Sequence, residues 1–415
     1  MKPYRSLAAT GALRRLILIA FIVINLVAPA CALKRSLAKK EVLSTAPKLG
    51  SDPLSQSGFD HFYNMEYDKA IHDFELDVQQ HPQDPLAANH LLTAVLFKEL
   101  YRIGAMDTEI YANDSFLSVR QFSVDPKVRQ RIRDLTDRAL ALSEQRLQAN
   151  PNDVLALYAR GSTRATRAMT VGVMDKSWFA ALRNAIGARH DEERVLELDP
   201  GNTDAKMALG THCYILGSLS WAVKVAASVV GLTGSKEKGL QYLYEAANGG
   251  GETSVDAKIV LSLFLRREQR YPEAINLIGG LTRDYPRSFL LALEYANLLN
   301  AAGHGPEAIA AFRTILAKNG QYQEPKLEQV GWGLGEALRG QNQFQQAAAA
   351  YDSVGRFARV EPDLLARANL AAGEMYDVMQ KRDLAVQRYR LVIAVSGDSS
   401  HADQARKYLK RPYRQ

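Results

Sequence analysis

Cysteine is nearly absent from this chain, with Cys31 and Cys213 alone in 415 residues. They supply no disulfide framework, so the folded body must be held together by its core. The eight histidines are scattered and form no His-Glu-x-x-His pattern. His212 and Cys213 are neighbours, which on a helix points their side chains about 100° apart and makes joint chelation awkward. No metal and no cofactor is expected. Phosphate-binding loops are missing too. Gly331-Trp332-Gly333-Leu334-Gly335 follows Lys326–Val330, a helical pattern and not the strand that a dinucleotide turn requires. The stretch Gly231–Lys236 lacks a Gly-Lys-Ser/Thr ending, and no Gly-x-Ser-x-Gly elbow occurs. Acidic pairs such as Glu192-Glu193 read as the charged outer faces of helices. No catalytic constellation remains, so the chain reads as a non-enzyme, and no segment reads as a strand.

The formal net charge of +7 is an N-terminal property. The first fifty residues hold nine Lys and Arg against Glu41 alone, which leaves 43 basic and 44 acidic groups in the remainder. A near-neutral body has no electrostatic basis for holding nucleic acid. Residues Met1–Ala32 look like a secretory leader: Lys2, Arg5, Arg14 and Arg15 precede an apolar run from Leu16 to Val27, followed by Ala28-Pro29-Ala30-Cys31-Ala32. The run is short of the ~20 residues that a spanning helix needs. Three fates fit this segment. It is cleaved after Ala30 or Ala32; or it stays as an anchor, which Lys34, Arg35, Lys39 and Lys40 just past the run favour; or it is lipidated at Cys31. For lipidation a small residue precedes the cysteine, but Ala28 and Pro29 depart from the usual aliphatic-small pair. Each fate makes the body an exported one, periplasmic or anchored facing the extracytoplasmic space. Membrane contact is then expected only through this segment, with residues 33–50 as a polar, basic tether.

What the body does contain is a ladder. Gly58, Ala70, Phe74 and Pro82 stand at fixed offsets, and Gly335/Ala347/Tyr351 and Gly373/Ala385/Tyr389 repeat the first three in the same register. Alanine followed by proline twelve residues on recurs at Ala70/Pro82, Ala139/Pro151, Ala188/Pro200 and Ala274/Pro286. Each mark has a physical task in a helix-turn-helix unit. Glycine and alanine let the two helices of a hairpin approach, and the aromatic, one turn after the alanine, fills the gap. Proline ends the unit and begins the next turn. Tyr67, Tyr271 and Phe344, three residues before their alanines, are placed under the turn inside the hairpin.

Regular units are expected near Ser254–Pro286, Ser288–Gly320, Leu327–Glu361 and Leu364–Ser396, with a capping helix from His401 to Leu409. The N-terminal half is less even. Pro126–Pro151 reads as a unit, and between Gly161 and Ala188 about fifteen residues exceed the regular spacing. The division that follows is residues 51–251 as an irregular helical half and 252–415 as regular repeats. Ala205–Gly231 is strongly apolar but carries His212 and Lys224, so it reads as a buried helix pair and not a membrane span.

These marks resemble the tetratricopeptide-repeat family. The resemblance implies an all-α, right-handed superhelical solenoid of about six or seven helical hairpins. It also implies a concave groove, lined by the first helix of each hairpin, that holds a peptide or a helix of another protein. Carried over by position, it points Phe62, Tyr63, Asn89, Thr93, Tyr158, Tyr214, Asn297, Asn300, Trp332, Glu336, Arg339 and Glu374 toward that groove. His61–Tyr67, Asn89-His90 and the stretch Gly217–Leu240 carry a narrower likeness, to exported bacterial tetratricopeptide-repeat proteins and, at greater distance, to the eukaryotic tetratricopeptide 39 and inclusion-body-clearance family. The implied role is a protein-interaction scaffold. A different class of role also fits: an accessory component of a solute or lipid transport system, with an apolar cavity around Tyr158, Tyr214 and Trp221.

Overall fold

Four prolines sit at the second position of four matching turns, closed by Asp84 N to His81 O, Asp153 N to Asn150 O, Asn202 N to Asp199 O and Ser288 N to Tyr285 O. Proline's fixed φ suits that position, and its missing N–H costs nothing there. The side chain of the fourth residue caps the next helix in three of the four turns, Ser288 making no such bond. Asp84 accepts from Leu86 N at 2.9 Å, Asp153 from Ala156 N at 3.1 Å and Asn202 from Ala205 N at 3.0 Å.

A computed structural model of the protein describes residues 52–106, 123–175, 177–219, 221, 224, 233–357, 360–397 and 399–414. The leader and Cys31 lie outside the described residues. Among the described residues there are seventeen α-helices and no strand, and no helix is long and apolar enough to cross a membrane. Contacts divide the chain into a first unit ending at Glu268 and a second beginning at Gln269, a boundary inside the Ser254–Pro286 repeat.

The first unit holds α1 (Pro53–Tyr63), α2 (Tyr67–Gln80), α3 (Pro85–Arg102), α4 (Pro126–Ala149), α5 (Val154–Val173), α6 (Trp178–Leu198), α7 (Thr203–Gly217), α8 (Lys236–Asn248) and α9 (Ser254–Arg267). The second holds α10 (Tyr271–Asp284), α11 (Phe289–Ala301), α12 (Gly305–Ala317), α13 (Leu327–Gly340), α14 (Phe344–Val354), α15 (Pro362–Val378), α16 (Arg382–Val395) and the capping α17 (Ser400–Lys410). Within each unit every helix packs on the next in sequence, and alternate helices also touch: α1 with α3, α3 with α5, α7 with α9, α11 with α13, α13 with α15 and α15 with α17. That is the stacking of helical hairpins, with the first helices side by side. Pro126–Pro151 is one helix, α4, and not a hairpin; it pairs with α3. The surplus between Gly161 and Ala188 is taken up as length, since α5 and α6 have 20 and 21 residues where α10, α11 and α12 have 13 or 14.

The ladder is steric. A Cβ on Gly58, Gly335 or Gly373 would overlap ring carbons of Phe74, Tyr351 or Tyr389, and Ala70, Ala347 and Ala385 are fully buried. The same logic explains Gly331-x-Gly333-x-Gly335, which lies in α13 with Val354 and Ser353, Phe312 and Tyr351 against its glycines. Five hairpin turns share a second mark. Met65, Gln269, Gly303, Asn342 and Gln380 have φ of 62°, 59°, 81°, 56° and 59°, each five residues before a buried ladder alanine. Only one of the five is glycine, so the turn geometry is imposed by packing against local preference.

Two positions break the ladder. The residue four after the ladder alanine is Phe74, Ile278, Phe312, Tyr351 or Tyr389 in five repeats, but Ser143 after Ala139 and Glu192 after Ala188. The Glu192 carboxyl lies against Gly161 in place of a ring, 1 % exposed, with neither oxygen hydrogen-bonded. The expectation of a solvated acidic face therefore fails for Glu192, because its offset, and not its charge, fixes where it points. Burial drives its pKa well above the usual carboxylate range, with Asp191 and Asp204 adding to the effect.

Replacing Gln380 by glycine should stabilise the protein by about 1 kcal/mol, the cost of a left-handed non-glycine residue, read as a higher urea midpoint at unchanged slope. Glu192→Met should stabilise it by about 1–3 kcal/mol at neutral pH, because an orphaned buried carboxyl is removed. Since the folded-state pKa is raised, the wild type is penalised least in acid and increasingly as pH rises above the ordinary carboxylate range. The gap between variant and wild type should therefore widen from acid to neutral pH in parallel unfolding curves, and a constant gap would contradict the assignment.

Candidate functional site

In the first unit the inner faces of the first helices meet polar partners from the far end of the same unit. Tyr63 on α1 donates its hydroxyl to Asp256 Oδ2 on α9 at 2.7 Å. His90 on α3 has Nε2 2.9 Å from Glu252 Oε1, while its Nδ1 lies 4.0 Å from Asp77 Oδ2, an ionic contact beyond hydrogen-bond reach. Asn89 donates to Thr163 Oγ1 at 2.9 Å on α5. Asp204 on α7 accepts from Thr253 N and Oγ1, both at 2.8 Å. Tyr158 is buried, and burial together with the Asp204, Glu252 and Glu192 carboxyls pushes its phenol well above its ordinary range.

The charge state of this hub follows from its geometry. Burial alone would neutralise His90, but Glu252 and Asp77 outweigh it and carry the imidazole pKa up to about 10. Burial also acts to raise the Asp77 carboxyl, yet His90 and the Ser55 hydroxyl hold it below the usual range. Asp256 is pushed up to about 6 by burial, against the bond from Tyr63. The hub is therefore a buried imidazolium among carboxyls, and it ties α3 to the chain just before α9.

Of the predicted groove residues in this unit, Tyr63, Asn89 and Tyr158 are buried in or beside the hub. Phe62 packs in a ring cluster with Tyr63, Tyr67 and Phe97. Tyr214, 1 % exposed, stacks on Phe264 at 3.8 Å and donates to Glu268 Oε1 at 2.7 Å. Trp221 is 79 % exposed and so does not enclose a cavity with Tyr158 and Tyr214. A cavity of about 330 Å³ lies instead between α6, α7 and α8, lined by Arg189, Glu193, Leu209, Cys213, Lys238 and Tyr242 among others. His90, Asp204, Glu252 and Asp256 were not foreseen; His90 alone carried a signal, beside Asn89 on an inner face.

The second unit presents a more open face. Trp332, Glu336 and Arg339 stand on one side of α13 at intervals of four and three residues. Arg339 Nη1 pairs with Glu374 Oε2 on α15 at 2.9 Å. Burial raises the Glu374 carboxyl above its ordinary range against the pull of Arg339. Glu336 accepts from the Tyr351 hydroxyl at 2.5 Å, and the Arg367 guanidinium lies 4.3 Å from the Trp332 ring centre. Asn297 and Asn300 on α11 are half-buried, as are Trp332, Glu336 and Arg339.

Hairpins stacked with first helices adjacent, proline turns at fixed places and ring-over-glycine contacts at the family's offsets decide the architecture. The fold is an all-α solenoid of stacked helical hairpins, similar in its packing to tetratricopeptide repeats. No family model matches the chain, and no curated protein matches it, so the narrower likeness stands on the quoted motifs alone. Solved tetratricopeptide-repeat structures align with low similarity. A structure of Pseudomonas aeruginosa pilF shares 15 % identity over 60 % of this chain and 97 % of its own, with a TM-score of 0.39. A tetratricopeptide repeat protein from Parabacteroides merdae shares 14 % over 77 % of this chain and 97 % of its own, at 0.33. Yeast Tom70 shares 12 % over 87 % and 89 %, at 0.35. Nothing about activity passes from them at these values.

His90→Gln leaves buried carboxylates without their cation and should cost about 2–4 kcal/mol at pH 7, measured by urea unfolding. With a folded-state pKa of about 10 against the ordinary 6.5, the wild-type advantage is complete below pH 6.5 and is lost as pH rises through about 10. A difference that stays constant from pH 6 to 10 would show that His90 is not held charged.

Proposed function

We propose that this protein is a non-enzymatic interaction scaffold of the cell envelope that binds a partner protein or peptide along the inner faces of its repeats. One observation carries the reading. Trp332, Glu336 and Arg339 on α13 and Glu374 on α15 come together on adjacent first helices, with an aromatic face, a guanidinium and carboxylates within one stretch of surface. Aromatic and arginine side chains are those that contribute most where proteins meet. The face is built from rigid helices, so little ordering entropy is lost on binding. The leader pattern of Met1–Ala32 supports an extracytoplasmic body, and the near-neutral charge of the remainder supports a protein partner over a nucleic acid.

The second reading, an accessory component of solute or lipid transport, draws support from the cavity between α6, α7 and α8. There Arg189 Nη1 is buried without a hydrogen-bond partner.

Affinity capture of the mature body from its native envelope, followed by mass spectrometry, tests the first reading against an Asn297/Trp332/Arg339 triple-alanine variant. The variant should retain its helical content and lose the partner by at least about tenfold, the scale of one removed anchor. Equal recovery by both forms would remove the groove from these positions.

A further inference from the structure

The inner face at the end of the second unit is already occupied, by the chain itself. After α17 the backbone turns extended at Arg411, with φ −137° and ψ 116°, and residues 412–414 carry no regular structure. Three of the four residues Arg411–Arg414 are exposed, and Tyr413 alone is sheltered. Its main-chain N–H donates to Asp377 Oδ2 on α15 at 2.8 Å. Its hydroxyl accepts from Arg339 Nη2 on α13 at 3.2 Å, and its ring meets Tyr408 edge-on at 5.4 Å.

Nothing in these contacts depends on the segment being covalently attached. A peptide N–H, a phenol and an extended backbone are features that any linear segment can present. The receiving groups are fixed beforehand. The Asp377 carboxylate is 1 % exposed and is held by Arg382 at 2.9 Å and the Tyr389 hydroxyl at 2.8 Å. Arg339 is held by Glu374. Arg382 also donates to the carbonyls of Tyr408 and Leu409, both at 2.8 Å, which closes the end of α17 without using Tyr413. The capping helix is thus secured by its own bonds, and Tyr413 adds a separate contact that a competitor can replace.

We propose that Arg411–Arg414 is an intramolecular ligand, and that the external ligand of this face is an extended peptide presenting tyrosine, its N–H to Asp377 and its phenol to Arg339. This rests on the reading of the second unit as a partner-binding surface and names the partner's chemistry. The tail holds the site in cis, so a partner binds only by displacing it, and its apparent affinity is that of the free site multiplied by the fraction of time the tail is unseated.

The probe is a fluorescein-labelled peptide of the sequence Leu409–Arg414, titrated by anisotropy against the full chain and against full-chain Tyr413→Ala. Tyr413→Ala should bind the peptide at least about tenfold more tightly than wild type, since the competing segment has lost its anchor. Adding Arg339→Met should reverse that gain, and a peptide with phenylalanine for tyrosine should bind the single variant more weakly. Melting curves accompany each variant. If Tyr413→Ala melts well below wild type, Tyr413→Phe keeps the ring on Tyr408, removes only the bond to Arg339, and should give a smaller gain in the same direction. Equal affinity for wild type and variant, or no binding to a variant that melts like wild type, overturns the proposal. Loss of the native partner in the triple-alanine capture with no peptide binding here would leave the scaffold reading standing and remove the tail's part in it. Peptide binding with unchanged capture would do the opposite.

Discussion

The close approach of two helices within each hairpin is the constraint on which the rest depends. Glycine or alanine must stand where the backbones come nearest, and a bulky ring one turn further must fill what the small residues leave open. Phe74 over Gly58, Tyr351 over Gly335 and Tyr389 over Gly373 are three instances of one contact. Because every such pair lies within one hairpin, it forms locally and can be repeated with little reference to the rest of the chain. The left-handed residue at each hairpin turn follows from it: once the ring and the alanine are seated, the chain between them has one path, and Met65, Gln269 and Gln380 adopt it despite their side chains.

That locality explains what the sequence made legible. The hairpins, the proline turns, the capping helix and the helical nature of Gly331–Gly335 are all set by residues a turn or a hairpin apart, so fixed offsets reveal them. Glu192 was legible in principle, since its offset from Ala188 names it as a ladder position, but its neighbour Glu193 gave the pair the look of a solvated face. The hub of the first unit was not legible. Tyr63 and Asp256 are 193 residues apart in sequence, and His90 and Glu252 are 162 apart. Their meeting depends on how far the stack curves, which is a sum of small rotations that no single offset records. Tyr413 was missed for a simpler reason: it follows the last helix, where no periodicity remains to assign it a face.

The two units, each taken alone, use their inner faces differently. In the first, the residues expected to greet a partner are turned to other residues of the unit, Tyr63 to Asp256, Asn89 to Thr163 and Tyr214 to Glu268, and a protonated imidazole stands among carboxyls in a polar interior. Breaking such a set by removing one member is costly even where building it contributed little net stability. In the second, Asn297, Asn300, Trp332, Glu336 and Arg339 keep part of their surface exposed, and Arg339 is held in place by the buried Glu374. Surfaces of that kind bind with little rearrangement.

The long pair α5 and α6 has a consequence for how this architecture varies. At about 1.5 Å per residue, six to eight extra residues carry each helix roughly 10 Å beyond the ends of 13- or 14-residue helices. The protruding ends need neighbours of their own, and α4, with 24 residues, supplies one: Arg129 and Arg133 near its start both reach Asp175 just past α5. Growth has occurred sideways, as a three-rod buttress, while Gly161 and Ala188 keep their places in the pile. A chain assembled this way can enlarge one storey without renumbering the floors above or below it.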